Sequence, residues 1–286
     1  AFLHCVVEDK LYIASGSLRK DTGNNFREIY TTGAYEYEPV HDEFGPLKLS
    51  HIIRFCQRLD NEMSNFPDCP IVVCAEENNP REFANAALLL GSYLIIKFKT
   101  SADKLRKCFA WADDSIFEPY RDASPEEADF FVHLNDCWRA IEKARLRDWI
   151  RYGGRSGSWG EYNVNEYEHY DNVANGRLHI IVPGKIVAFQ GPKNLRGRKY
   201  MDHMGRRLFS PSYYHDIFHA MGVVAVVCLN DAEYPPSDFE DDGFEHHHLF
   251  WPPASPAPPD AVASTFLRLA TSPRRGILAL HCDDGL

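Results

Sequence analysis

The residues best placed to do chemistry lie at the end of the sequence, where the apolar run Ile277-Leu278-Ala279-Leu280 leads into His281-Cys282-Asp283-Asp284-Gly285. A buried strand that ends in a cysteine and turns through a short glycine-containing loop can present a thiolate to a phosphate. Backbone N–H groups of the loop, with the N-terminus of a following helix, cradle the anion and lower the thiol pKa. On this reading Cys282 is the candidate nucleophile, with His281 behind it in the strand. The plain alternative is a cysteine buried at a strand end, where it packs as a small hydrophobe.

Three other groupings invite chemistry. Cys74 also follows an apolar run, Ile71-Val72-Val73, but the loop after it, Ala75-Glu76-Glu77-Asn78-Asn79-Pro80-Arg81, is acidic, and Cys74 is expected to be non-catalytic. His246-His247-His248 suggests a metal, yet adjacent residues of a strand point to opposite faces, so the three cannot share one ion. Neither a metal site nor a cofactor is expected. Glu161, Glu166, Glu168 and Asp171 form an acidic stretch that also holds Tyr162, Tyr167 and Tyr170. It reads either as a solvated face or as a surface for a basic partner, to which the tyrosines would add cation–π contacts.

Composition narrows the classes. A length of 286 residues favours two domains. With 41 acidic against 31 basic residues the formal charge is −10, and no dense Lys/Arg block appears, which disfavours nucleic acid as a partner. The longest apolar helical candidate, residues 84–96, falls short of the ~20 residues that span a bilayer and contains Asn85, Gly91 and Ser92. Eight cysteines without a C-x-x-C pair fit a reducing, intracellular setting better than a disulfide framework. Starting at Ala1 rather than at methionine, the sequence is read as a segment of a longer protein.

The elements that must position these residues alternate. Strands are expected at residues 11–14 and 71–74, with helices carrying Ile52, Ile53, Cys56 and Leu59, then Phe83, Ala87, Leu90 and Leu94, then a third from Ser101. Ser124-Pro125-Glu126-Glu127 reads as the start of a helix that buries Phe130, Leu134, Cys137, Trp138 and Ile141. A Gly/Ser/Arg linker follows at 151–160. Beyond it, strands at 178–182 and 186–189, a helix from Ser210-Pro211 to Gly222, a strand at 223–229, a helix around Val262 and Phe266 and a strand at 276–281 form a second unit. This gives an α/β class, divided as 1–150, a linking acidic segment at 151–175, and 176–286.

Several blocks together closely resemble the cell-division-cycle fourteen family of dual-specificity protein phosphatases, the mitotic-exit phosphatases. They are Tyr37-Glu38-Pro39 with Asp42-Glu43-Phe44-Gly45-Pro46-Leu47, Arg81 onward through Leu88-Leu89-Leu90-Gly91-Ser92-Tyr93, and Arg121-Asp122-Ala123-Ser124. Asn165-Glu166-Tyr167-Glu168-His169-Tyr170, Ile181-Val182-Pro183-Gly184-Lys185, Val226-Val227-Cys228-Leu229-Asn230 and Gly243-Phe244-Glu245-His246-His247 complete the set. The resemblance implies two tandem dual-specificity-phosphatase-like domains, the first non-catalytic and the second incomplete at its C-terminal end. The strand at 276–280 would then lack helices to cover it and would expose an apolar face. The resemblance also implies that Cys282 is the nucleophile, that a phosphate-binding arginine lies beyond Leu286, and that an acidic interdomain groove holds basic residues after a phosphoserine-proline site. Asp122, Glu161, Glu166, Glu168 and Asp171 are its candidates here.

Two departures weaken the expected chemistry. The general-acid position falls on Pro253 or Ala254, neither of which donates a proton; the next carboxylate, Asp260, is expected to cap the following helix. Asp283 and Asp284 follow Cys282 where the family carries basic or small residues. A carboxylate ~4 Å from a phosphate costs about 4 kcal/mol at an effective dielectric of 20, and two should raise the thiol pKa. The expectation is therefore a catalytically impaired phosphatase that acts as a binding component. Its partners would be basic or phosphorylated protein segments, or a cytoskeletal assembly at cilium, centrosome or spindle, or in the nucleus. The alternative is an active cysteine-dependent dual-specificity phosphatase.

Overall fold

The computed structural model describes residues 2–18, 26–37, 44–121, 130–151, 162–203, 206–252, 257–272 and 276–283. The chain divides into two compact units, Ala1–Tyr152 and Gly153–Leu286.

In the first unit β1 (Phe2–Val7) pairs antiparallel with β2 (Leu11–Ser15). β3 (Arg27–Tyr30) and β4 (Ile71–Ala75) complete a sheet of order β1-β2-β4-β3, in which β4 runs parallel to both neighbours. Every residue of β4 is buried, as expected of an apolar, largely β-branched strand covered on both faces. Helix α1 (Leu49–Asn65) buries Ile52, Ile53, Phe55, Cys56 and Leu59. Helix α2 (Pro80–Phe98) starts at a proline, is capped by the Asn79 side chain on the Glu82 N–H, and stops at Lys99 in the left-handed region. Gly91 lets α4 (Leu134–Leu146) approach it, since a Cβ there would stand 2.3 Å from Trp138 Nε1. Between them lies α3 (Ala102–Cys108).

The helix expected from Ser124 is corrected at its start. Residues 122–129 lie outside the described residues, but a short ladder of β5 (Tyr120–Arg121) and β6 (Phe131–Val132) precedes α4. The helix begins only at Leu134, where the Asp136 carboxylate accepts from the His133 N–H, and Phe130 is 67% exposed rather than buried.

The second unit begins its described part with α5 (Val164–Asp171) and a 3-10 turn (Val173–Asn175), both tied to it: Tyr213 Oη donates to the Ala174 carbonyl at 2.9 Å. β7 (Leu178–Val182) and β8 (Ile186–Gln190) form an antiparallel hairpin, and β9 (Tyr200–His203) with β10 (Arg206–Phe209) a separate one. Helix α6 (Pro211–Met221) ends at Gly222, whose φ of 80° suits only glycine without strain. β11 (Val223–Cys228), the short α7 (Ser237–Glu240), β12 (Glu245–His248), α8 (Asp260–Ala270) and β13 (Ile277–Cys282) follow. The sheet order is β12-β11-β13-β8-β7, with β13 parallel to β8 and β11. The last strand in sequence is thus the middle strand in space, and β4 and β13 belong to different sheets.

Two further expectations are corrected. The strand at 276–280 is not bare: Leu278 is 1% exposed and Ala279 fully buried. Leu269 joins the core around Leu278, with Val262 and Phe266 of α8 packed against it. Asp260 is the first residue of α8, not its cap; its carboxylate sits in the first turn, where the helix dipole favours a negative charge.

Candidate active site

Ligands of open parallel sheets gather at the carboxyl ends of the strands. Cys282 ends β13 there, opposite Gln190 on β8, while His281 lies opposite Phe189 on one side and Cys228 on the other. The chain leaving β8 presses against this point. A Cβ on Gly191 would stand 2.3 Å from the Cys282 carbonyl oxygen, and the Gly191 N–H donates to the Asp283 carbonyl at 3.2 Å. Only glycine lets the two strand ends approach so closely.

His281 is 2% exposed, with its ring packed on Phe189 and Tyr234. Its hydrogen bonds fix the tautomer. The Cys282 carbonyl can only accept, so Nδ1 carries the proton, at 3.3 Å. Nε2 therefore accepts from the Tyr234 hydroxyl at 2.6 Å, whose oxygen accepts in turn from His246 Nε2–H at 3.0 Å. Burial pulls the His281 pKa down to about 4, so the imidazole is neutral near pH 7. Its role in this arrangement is to brace the strand end, not to supply positive charge.

Asp283 is not a bare carboxylate. Lys193, two residues beyond Gly191, places Nζ 2.6 Å from Asp283 Oδ1 and also binds Glu233. Burial works against the Lys193 ammonium, but its two carboxylate partners outweigh this and raise its pKa. The repulsion expected of Asp283 is therefore partly offset, because a lysine lies beside it. The group of three still sums to one negative charge, and the lysine is already engaged.

The other candidates are dispersed. The three histidines go to separate partners: His246 to Tyr234, His247 to Glu245 at 3.1 Å, and His248 to the Asn230 carbonyl at 2.9 Å. Cys74 is fully buried in a cluster with Ala14 and Val72, and burial pushes its thiol up to about 12. Glu166 and Glu168 are exposed on α5, whereas Asp171 faces inward, 2.9 Å from His179. The expectation that Tyr162 and Tyr167 meet a ligand is overturned: they are 8% and 7% exposed and pack on each other. Tyr167 and Val164 are the buried face of α5, and Tyr162, just before the helix, packs against it. Asp122, Glu161, Pro253, Ala254 and Asp284 lie outside the described residues.

Sequence reasoning missed Gly191, Lys193 and Tyr234. Gly191-Pro192 after an apolar run was a usable signal for a strand end. Lys193 and Tyr234 are remote in sequence from Cys282, and only the sheet order brings them to it.

Residues 5–144 match the family described as dual specificity protein phosphatase, N-terminal half. Over 281 residues, 98% of this chain, the sequence is 31% identical to dual specificity protein phosphatase CDC14AB of Danio rerio, covering 44% of that protein. It is 31% identical to CDC14C of Symphalangus syndactylus and 30% identical to CDC14C of Homo sapiens, covering 55% and 60% of them. Over nearly its whole length the chain is similar to CDC14 dual specificity protein phosphatases. It spans about half the length of the curated CDC14 relatives it matches. The CDC14 match covers 98% of the chain and so runs through both compact units. No described helix is long and apolar enough to cross a membrane.

Proposed function

We propose that this CDC14-like chain keeps the phosphatase scaffold but has impaired hydrolytic chemistry, and that it works by binding basic protein segments. The observation that carries the reading is Asp283, directly after Cys282 and ion-paired with Lys193. A phosphoryl group arriving at Cys282 would meet a carboxylate and a lysine already engaged. Proton donation from Pro253 or Ala254 is chemically excluded, and loss of a general acid costs ~10²–10⁴ in rate. The shared strand order, β2-β4-β3 around Cys74 and β8-β13-β11 around Cys282, supports a tandem of phosphatase-like domains in which the first has lost its nucleophile to the core.

Exposed Glu166 and Glu168 on α5 would receive a Lys/Arg-rich or phosphorylated segment. Asp171, paired with His179, would contribute only through its partner. We place the protein inside the cell, at a cytoskeletal assembly such as a cilium, centrosome or spindle, or in the nucleus. A second reading, an active dual-specificity phosphatase, is favoured by the way Tyr234 still seats His281 behind Cys282.

The test is binding of a Lys/Arg-rich peptide with and without Glu166→Gln and Glu168→Gln, over a salt titration. Exposed pairs give ~0.2–1 kcal/mol each, so the double change should weaken binding several-fold, and salt should do likewise. Binding indifferent to both changes would leave these acids as solvated surface.

A further inference from the structure

The first unit has a cavity at the end of its sheet opposite Cys74, away from the carboxyl ends of β2, β3 and β4. It measures 560 Å³ and opens between the β1–β2 turn, α1, the last turn of α2, and α3. Its wall is mostly apolar, with Leu11, Leu94 and Leu105 buried at its base and Phe98 56% exposed at its mouth. Volumes of ~300–1,000 Å³ with apolar walls and few polar groups are typical of small-ligand sites. Of the three charged groups at this one, two are cationic. Lys10 and Lys104 line it, against the single carboxylate of Glu8, in a chain whose overall charge is −10. Neither ammonium makes an ion pair with a described residue, whereas Lys97, which is not part of the lining, is paired with Asp60. An apolar interior with two such lysines at its wall complements one kind of small molecule.

We propose that this cavity binds a single-chain anionic amphiphile, a free fatty acid, with its alkyl chain along Leu94, Leu105 and Phe98 and its carboxylate at Lys10 and Lys104. The site is independent of the phosphatase-like end of either unit. A neutral or cationic chain of equal length would gain the apolar burial but not the charge interaction. The thiol of Cys108 lines the same cavity, 3.6 Å from His4 Nε2, and so reports on occupancy without being part of the binding chemistry.

The experiment titrates the protein with monomeric fatty acids of increasing length, each paired with the alcohol and the trimethylammonium of the same chain. Affinity should rise about fourfold per added methylene until the cavity is full, since each buried CH₂ contributes roughly 0.8 kcal/mol. The carboxylate should bind tightest, and Lys10→Glu with Lys104→Glu should lower its affinity about three- to tenfold while leaving the alcohol unchanged. Both lysines are exposed, so folding is not at stake. In parallel, bound fatty acid should slow alkylation of Cys108 and leave that of exposed Cys5 unaltered, read peptide by peptide. Equal affinity for the three head groups, or equal protection of Cys5 and Cys108, would overturn the proposal.

Discussion

Lys193 Nζ stands 2.6 Å from Asp283 Oδ1, so the first side chain after Cys282 is tied to the segment that leaves β8. If this pair blocks the approach of an oxyanion, removing the carboxylate frees the lysine for it. Asp283→Ala should raise tungstate affinity, measured calorimetrically, about three- to tenfold. Lys193→Met in the same background should cancel the gain. An unchanged affinity in Asp283→Ala would mean that the pair does not govern the site.

His281 gives the second unit an acid-sensitive support. Its pKa falls from 6.5 to about 4 through burial, so the unfolded chain binds the proton more readily. The stability contributed by the neutral ring is full above the unfolded value and is lost as pH falls from 6.5 toward 4. Between pH 7 and pH 5 this amounts to about 2 kcal/mol, before most carboxylates titrate. Urea unfolding at the two pH values should show that loss, and His281→Asn should flatten it.

Cys74 should be nearly inert. With no exposure and a thiol pushed up to about 12, it should be alkylated far more slowly at pH 8 than exposed Cys5. Cys74→Ser should cost ~1–3 kcal/mol in stability, because it buries a hydroxyl in an apolar cluster. It should leave any ligand affinity at Cys282 unaltered.

Gly191→Ala tests the close approach at the strand ends. The added methyl would lie 2.3 Å from the Cys282 carbonyl oxygen, a main-chain atom that cannot rotate aside. Overpacking of this kind costs ~1–3 kcal/mol. A lowered denaturation midpoint together with weaker oxyanion binding is expected, since relief of the clash moves the start of the loop.

Much of the scaffold was legible in the sequence because its signals are local. The apolar run before Cys74, the Asn79-Pro80 start of α2 and the Pro211-to-Gly222 bounds of α6 each mark an element without reference to the rest. The sheet order was not legible, because nothing near residue 277 announces that the last strand inserts between β8 and β11. For the same reason Lys193 and Tyr234 were invisible as partners of Asp283 and His281. Phe130 misled because a good capping sequence at Ser124 competed with the ladder of β5 and β6, and the second cap at His133 and Asp136 set the start of α4. Tyr162 and Tyr167 misled because tyrosine suits both a binding face and a buried contact.

The central claim, impaired chemistry at Cys282, is tested most directly by steady-state hydrolysis of phosphoserine-proline and phosphotyrosine peptides by the full-length protein beside its Cys282→Ser variant. The account predicts kcat/KM for the unmodified protein close to that of Cys282→Ser. Robust hydrolysis by the unmodified protein, abolished in Cys282→Ser, would contradict it and establish the active phosphatase instead.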